Sequence, residues 1–91
     1  MRKLNRHKSF IKDARNVKLT DQQSTKLFLY VSALLKGEKL PPESRDHSLN
    51  GKLSDFRELH VGGDTLLIYS LDDDFVYLAR LGSHAQLFEK L

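Results

Sequence analysis

The chain has no cysteine and only two prolines among its 91 residues. Without thiols there is no disulfide framework, no thiolate nucleophile and no cysteine-ligated metal site, a composition that suits a reducing cytoplasm. Long hydrophobic runs are missing too. The longest nearly apolar stretch, residues 27–35, falls well short of the roughly 20 apolar residues that a bilayer-spanning helix needs. No basic region followed by an apolar segment opens the sequence as a secretory signal would. A cytoplasmic protein without membrane contact is expected. There is also no Gly-rich phosphate loop, nucleophile elbow, helix-turn-helix signature or His-Glu-x-x-His spacing, so kinase, serine-hydrolase, major-groove and zinc-hydrolase readings have no support. Neither a metal nor a cofactor is expected.

What the chain does have is a modest positive charge, +3, unevenly placed. Arg2, Lys3, Arg6, Lys8, Lys12, Arg15 and Lys18 are opposed only by Asp13 across the first nineteen residues. Such a segment is either a surface that meets phosphates or an acidic partner, or an ordinary solvated face. The length is near the lower end of what buries a self-sufficient core, so one domain over residues 1–91 is expected.

Local patterns divide the chain into a helical half and a stranded half. Residues Arg2 to Arg6 suit a short strand, and Ser9 can cap a short helix carrying Phe10, Ala14 and Val17. A stronger helix starts at Thr20, where Thr20 and Gln23 match a capping box. Its buried stripe is Leu27, Val31, Leu34 and Leu35, widened by Phe28 and Tyr30. Gly37 suits the left-handed position after its end, and Pro41-Pro42 prevents resumption. Residues Lys39 to Ser54 read as a surface loop. Three strands follow, Phe56 to Val61, Thr65 to Leu71 and Phe75 to Leu81, joined by Gly62-Gly63 and by Asp72-Asp73-Asp74. The expected fold is α+β: a short N-terminal strand, two helices, then an antiparallel three-stranded meander in one sheet with helices packed on one face. The middle strand, Leu66-Leu67-Ile68-Tyr69, is nearly all apolar, as a central or doubly covered strand would be.

Three of the four histidines, His47, His60 and His84, lie in the second half. Imidazole exchanges protons near neutral pH, so several converging rings would point to acid–base chemistry. Period-two alternation puts Glu58 and His60 on one face and Leu59 and Val61 on the other. If the apolar pair faces the helices, the carboxylate and the ring share the open face. Asp64 could act there or serve only as a turn residue. Alternation leaves the face of Arg80 open; a guanidinium suits a phosphorane, yet a lone arginine at a strand end is commonly a surface residue. Helical spacing would put His84 and Phe88 on one side, with Phe88 either packing or stacking on a base.

Taken in order, Asp46-His47-x-Leu49-x-Gly51-Lys52, Phe56-Arg57-Glu58-x-His60, Asp64 with Leu66-Leu67-Ile68-Tyr69, and Leu78-x-Arg80-x-Gly82-Ser83-His84-x-x-Leu87-Phe88 resemble the YafQ branch of the RelE/ParE toxin superfamily. The match covers about residues 44–88. It implies a RelE-like fold and a type II toxin: a ribosome-dependent mRNA interferase that enters the A site, cuts the exposed codon and is neutralised by a cognate antitoxin. That antitoxin would be a DNA-binding protein with an acidic or amphipathic neutralising segment. By motif, His47, Glu58, His60, Asp64, Arg80, His84 and Phe88 would be the catalytic set, with His60 or Asp64 as base, His84 as acid and Arg80 on the transition-state phosphate. Arg45, Lys52 and Arg57 would contact RNA. Two departures stand out: Leu53 where relatives often carry Trp, and Glu58 in place of the commoner Asp. Two alternatives remain. A ParE-like protein would keep the fold and inhibit a topoisomerase without cutting RNA, and an idle module would only hold an antitoxin. A supercoiling assay and growth arrest on expression separate these readings.

Overall fold

The computed structural model describes residues 1–88. In chain order it has β1 (Lys3–Arg6), α1 (Lys8–Asn16), α2 (Asp21–Lys36), β2 (His47–Ser48), β3 (Arg57–Gly62), β4 (Thr65–Leu71), β5 (Phe75–Ser83) and α3 (His84–Phe88), with 3-10 turns at Pro42–Ser44 and Gly51–Leu53. The meander β3-β4-β5 forms as expected, but the sheet has five strands in the order β1-β5-β4-β3-β2. β1 joins it parallel to β5, the pairing that a helical crossover permits, and β2 adds an antiparallel edge within the segment expected to be loop. The near-continuous apolar strand β4 is indeed central.

α2 is fixed at both ends by the residues that predicted it. Thr20 Oγ1 accepts from the Gln23 N–H at 3.1 Å, and Gln23 Oε1 accepts from the Thr20 N–H at 3.0 Å. Gly37, at φ 72°, closes the helix in the left-handed region. Its buried residues are Tyr30, Val31 and Leu34, while Phe28 is 75 % exposed and does not widen the buried stripe. Phe28 lies one position from Leu27 and so turns about 100° away from the contact.

Two apolar layers sandwich the sheet. On the α1/α2 side Phe10, Tyr30, Val31 and Leu34 pack on Leu59, Val61, Leu67, Tyr69, Val76, Leu78 and Leu81. On the other side Leu87 of α3 covers Leu66, Ile68 and Ala79, with Leu49, Phe56 and Phe88 at the margin. Leu59 and Val61 therefore face the helices, and Glu58 and His60 lie on the opposite, α3 side.

The last strand breaks simple alternation. Ile68 pairs with Arg80 but Tyr69 pairs with Leu78, so Ala79 is an extra residue, and Leu78 and Leu81 both reach the helix-side core. α1 satisfies this bulge. Ser9 Oγ donates to the Ala79 carbonyl at 2.7 Å, and the Leu81 N–H donates to Asp13 Oδ2 at 3.0 Å. Ser9 is thus not the helix cap expected from sequence. His7 holds that position without a side-chain bond, and Ser9 and Asp13, one helical turn apart, both face the bulge.

Candidate active site

The loop before β3 carries two of the site's residues and is held by a polar clamp. The Arg57 guanidinium donates to Asp46 through Nε at 3.2 Å and Nη2 at 2.9 Å, and the Tyr69 hydroxyl donates to Asp46 Oδ1. The hydrogen bond to Asp46 raises the pKa of Arg57; burial, then the same carboxylate, raises that of Tyr69. On one side of the clamp Arg45 adopts φ 47°, ψ 40°, a left-handed conformation that costs a residue with a side chain about 1–2 kcal/mol. On the other side β2 places His47 directly across from Glu58.

Glu58 is the centre. It is 4 % exposed, and its carboxylate is ringed by imidazoles: His47 Nε2 lies 3.5 Å from Oε1, His60 Nε2 3.4 Å from Oε2, and His84 Nε2 3.9 Å from Oε2. Oε2 accepts no hydrogen bond from the described residues. The rings form a row, His47 to His60 at 6.2 Å, His60 to His84 at 6.5 Å, and His84 to Phe88 at 5.4 Å between centroids. His84 opens α3 directly after β5, so a strand end and a helix start deliver His84 and Phe88 together. Asp64, beyond the Gly62-Gly63 turn, reaches His84 Nδ1 at 3.7 Å. Those glycines take φ 125° and 58°, which lets the chain reverse there.

Burial lowers the pKa of His60, and the positive charge of Arg45 adds to this; Glu58 opposes both, while His47 and His84 push the same way as Arg45. The ring is therefore held toward its neutral form. His47 and His84 sit at the rim with side chains 55 % and 54 % exposed, open to a substrate.

The expected site residues divide accordingly. His47, Glu58, His60, Asp64, His84 and Phe88 converge. Arg80 does not face the carboxylate: Nε donates to Asp13 Oδ2 at 2.7 Å and Nη2 to Oδ1 at 3.2 Å, while the side chain lines a shallow apolar cavity of about 200 Å3 together with Ile68 and Phe88. Arg45 bonds His60, Arg57 bonds Asp46, and Lys52 lies exposed on the 3-10 turn Gly51–Leu53. Sequence reasoning missed Asp46, Tyr69 and Asp13 as supports. Asp13 was signalled by being the lone acid in the basic segment. Tyr69 was hidden in an apolar strand.

One nitrogen each from His47 and His60 and one Glu58 oxygen lie within 4.8 Å of one another. A nitrogen–oxygen set of this kind suits Cu2+ or Zn2+.

Residues 2–89 match the family described as the bacterial toxin of type II toxin-antitoxin systems, YafQ. The chain belongs to the YafQ toxin family. It is 32 % identical over 80 residues, 87 % of each chain, to the mRNA interferase toxin YafQ of Escherichia coli K12. The E. coli YafQ structure solved as the DinJ–YafQ complex superimposes with a TM-score of 0.83 at 30 % identity, covering 97 % of this chain and 99 % of that one. A copper-bound mutant toxin from Helicobacter pylori gives a TM-score of 0.82 at 41 % identity, covering 97 % and 100 %. The protein is a type II toxin with the fold of the YafQ structures.

Proposed function

We propose that this toxin is a ribosome-dependent endoribonuclease that cleaves mRNA in the cytoplasm by acid–base catalysis without a metal. The observation that carries the reading is the convergence of His47, His60 and His84, from three separate elements, on the buried carboxylate of Glu58. A mere binding surface has no need to hold three imidazoles around a carboxylate withdrawn from water.

The chemistry needs one base and one acid. The base removes the ribose 2′-OH proton, the oxygen attacks the adjacent phosphorus, and the acid protonates the 5′-oxygen as its bond to phosphorus breaks. A 2′,3′-cyclic phosphate and a free 5′-hydroxyl result. His84 suits the acid: it is exposed, lies between Asp64 and Glu58, and can return a proton to solvent. For the base, His60 is disfavoured because its Nδ1 is occupied by Arg45 and its side chain is only 12 % exposed, against 55 % for His47. Nε2 of His47, at the rim, takes that role, with Asp64 orienting His84. Glu58 stabilises the imidazolium that forms on either side. Phe88 stacks beside His84 and orders the RNA. Lys52, exposed on its 3-10 turn, meets its phosphates, while Arg80, held by Asp13, braces the bulge of β5 instead of contacting RNA.

The partner is a cognate antitoxin whose acidic or amphipathic segment neutralises the basic surface contributed by the first half of the chain, as the DinJ–YafQ complex of the relative suggests. The test is cleavage of a defined mRNA on translating ribosomes in excess of a chelator selective for copper and zinc, which leaves the ribosome its Mg2+. Wild-type protein should yield fragments ending in cyclic phosphate, and His84→Ala should lose about 10²-fold or more in rate. Undiminished cleavage by His84→Ala overturns the acid assignment, and no cleavage by wild type overturns the nuclease.

A further inference from the structure

Arg45 touches two of the three imidazoles, through chemically opposite atoms. Its Nη2 lies 3.0 Å from His60 Nδ1, and its backbone carbonyl lies 2.8 Å from His47 Nδ1. A guanidinium has five N–H donors and no acceptor. His60 Nδ1 must therefore carry the lone pair, which puts the ring proton on Nε2, the atom 3.4 Å from Glu58 Oε2. A carbonyl only accepts. His47 Nδ1 must therefore carry a proton, which in the neutral ring leaves Nε2 bare, 3.5 Å from Glu58 Oε1. The left-handed backbone of Arg45 turns the carbonyl toward one ring while the side chain reaches the other.

We infer that Arg45 is a positioning residue that imposes opposite tautomers on His47 and His60, so that His47 offers a proton acceptor at Nε2 and His60 a neutral N–H directed at Glu58. The inference rests on the nuclease reading only for its catalytic consequence; the tautomers follow from the contacts alone. It also gives Arg45 a use other than the RNA contact expected from sequence. One residue sets both rings, so a single change disturbs the division of labour between them.

Two variants separate the halves of this device. Arg45→Gly accepts the left-handed backbone freely, so the carbonyl stays in place while the guanidinium is lost. Arg45→Lys keeps a donor. In ring-15N spectra at a pH where all the histidines are neutral, wild type should show His47 protonated at Nδ1 and His60 protonated at Nε2. In Arg45→Gly the His47 pattern should persist, and His60 should lose its single tautomer, its Nδ1 and Nε2 resonances converging toward the averaged values of a ring that exchanges between both; Arg45→Lys should return them part of the way. On ribosomes, Arg45→Gly should lower kcat by about 10–100-fold, the scale of a misplaced catalytic group, with KM within about threefold. A His60 Nδ1 resonance unmoved by Arg45→Gly, or a raised KM at unchanged kcat, overturns the inference, the latter making Arg45 an RNA contact. If wild-type protein cleaves nothing, the nuclease reading fails while the spectra still decide what Arg45 does.

Discussion

Glu58 Oε2 stands 3.4 Å from His60 Nε2, inside the protein and without a hydrogen bond from any described residue. A buried charge so weakly satisfied is a cost to the fold that function explains better than stability does. Glutamine in its place would lose the charge and match both neighbours, its carbonyl accepting from His60 and its amide donating to His47. Glu58→Gln should therefore raise the midpoint of thermal unfolding by about 4–8 °C, the shift expected for roughly 1 kcal/mol in a domain of this size. Cleavage should fall by about 10²-fold or more as the imidazolium loses its counter-charge. Calorimetry and the ribosome assay on the same preparation check both; a lowered midpoint means that the histidines more than compensate the buried charge.

The Arg80–Asp13 pair ties the bulge of β5 to α1 and gives stability a pH signature. Burial by itself raises the pKa of Asp13, but the Arg80 guanidinium and the Leu81 N–H outweigh it and hold the carboxyl below its ordinary 3.8. With the folded pKa below the unfolded one, the unfolded chain binds more protons in between, so the contribution is complete above about pH 4 and is lost as pH falls through the folded value. Asp13→Asn should unfold more easily than wild type by about 1–2 kcal/mol at pH 6, the lower part of the range for a charged hydrogen bond because the pair is partly exposed. Urea titrations should show the gap between the two proteins shrinking below pH 4. A gap that stays constant with pH would mean that Asp13 acts by packing and not by charge.

Much of this arrangement was legible in the residues, for identifiable reasons. Thr20, Gln23 and Gly37 define α2 because capping is local chemistry, satisfied within one turn of the chain. Glu58 and His60 share a face because strand alternation is equally local. The position of β1 was not legible, since its pairing with β5 joins residues some seventy positions apart, and parallel partners leave no hairpin signature. The bulge at Ala79 was hidden for a related reason: it is completed by Ser9 and Asp13 on α1, and nothing within the strand announces it. The three histidines could be grouped by motif, but not the way Arg45 divides them, because that depends on a left-handed backbone at a residue with no glycine-like signal.

Tyr69 has its ring in the helix-side core and its hydroxyl on Asp46, so it links core packing to the loop bearing Arg45 and His47. Tyr69→Phe keeps the ring and removes one donor, leaving Asp46 to Arg57 alone. The expected loss is about 1–2 kcal/mol of stability, read from urea unfolding. Cleavage should drop by only a few-fold, because β2 still pairs His47 with Glu58. A loss as large as that of His84→Ala would mean that the clamp, and not the strand pairing, fixes His47.

Copper provides the sharpest separation of a metal-free mechanism from a metal-dependent one. His47, Glu58 and His60 present donors within 4.8 Å of one another, and a H. pylori relative has been solved with copper bound. An ion on these three residues would occupy the His47 nitrogen proposed to take the 2′-OH proton, neutralise Glu58 and require His60 to give up its Nε2 proton. Binding there should therefore inhibit. Adding Cu2+ to the ribosome assay should lower the cleavage rate by about 10²-fold or more at saturation, the usual contribution of an acid–base group, and an excess of a copper-selective chelator that spares Mg2+ should restore it in full. His47→Ala should weaken copper binding measured by calorimetry, since it removes one of the three donors. If that Mg2+-sparing chelator instead abolishes cleavage by the wild type and copper restores it, the 2′-OH is activated by the ion and the imidazole assignment falls.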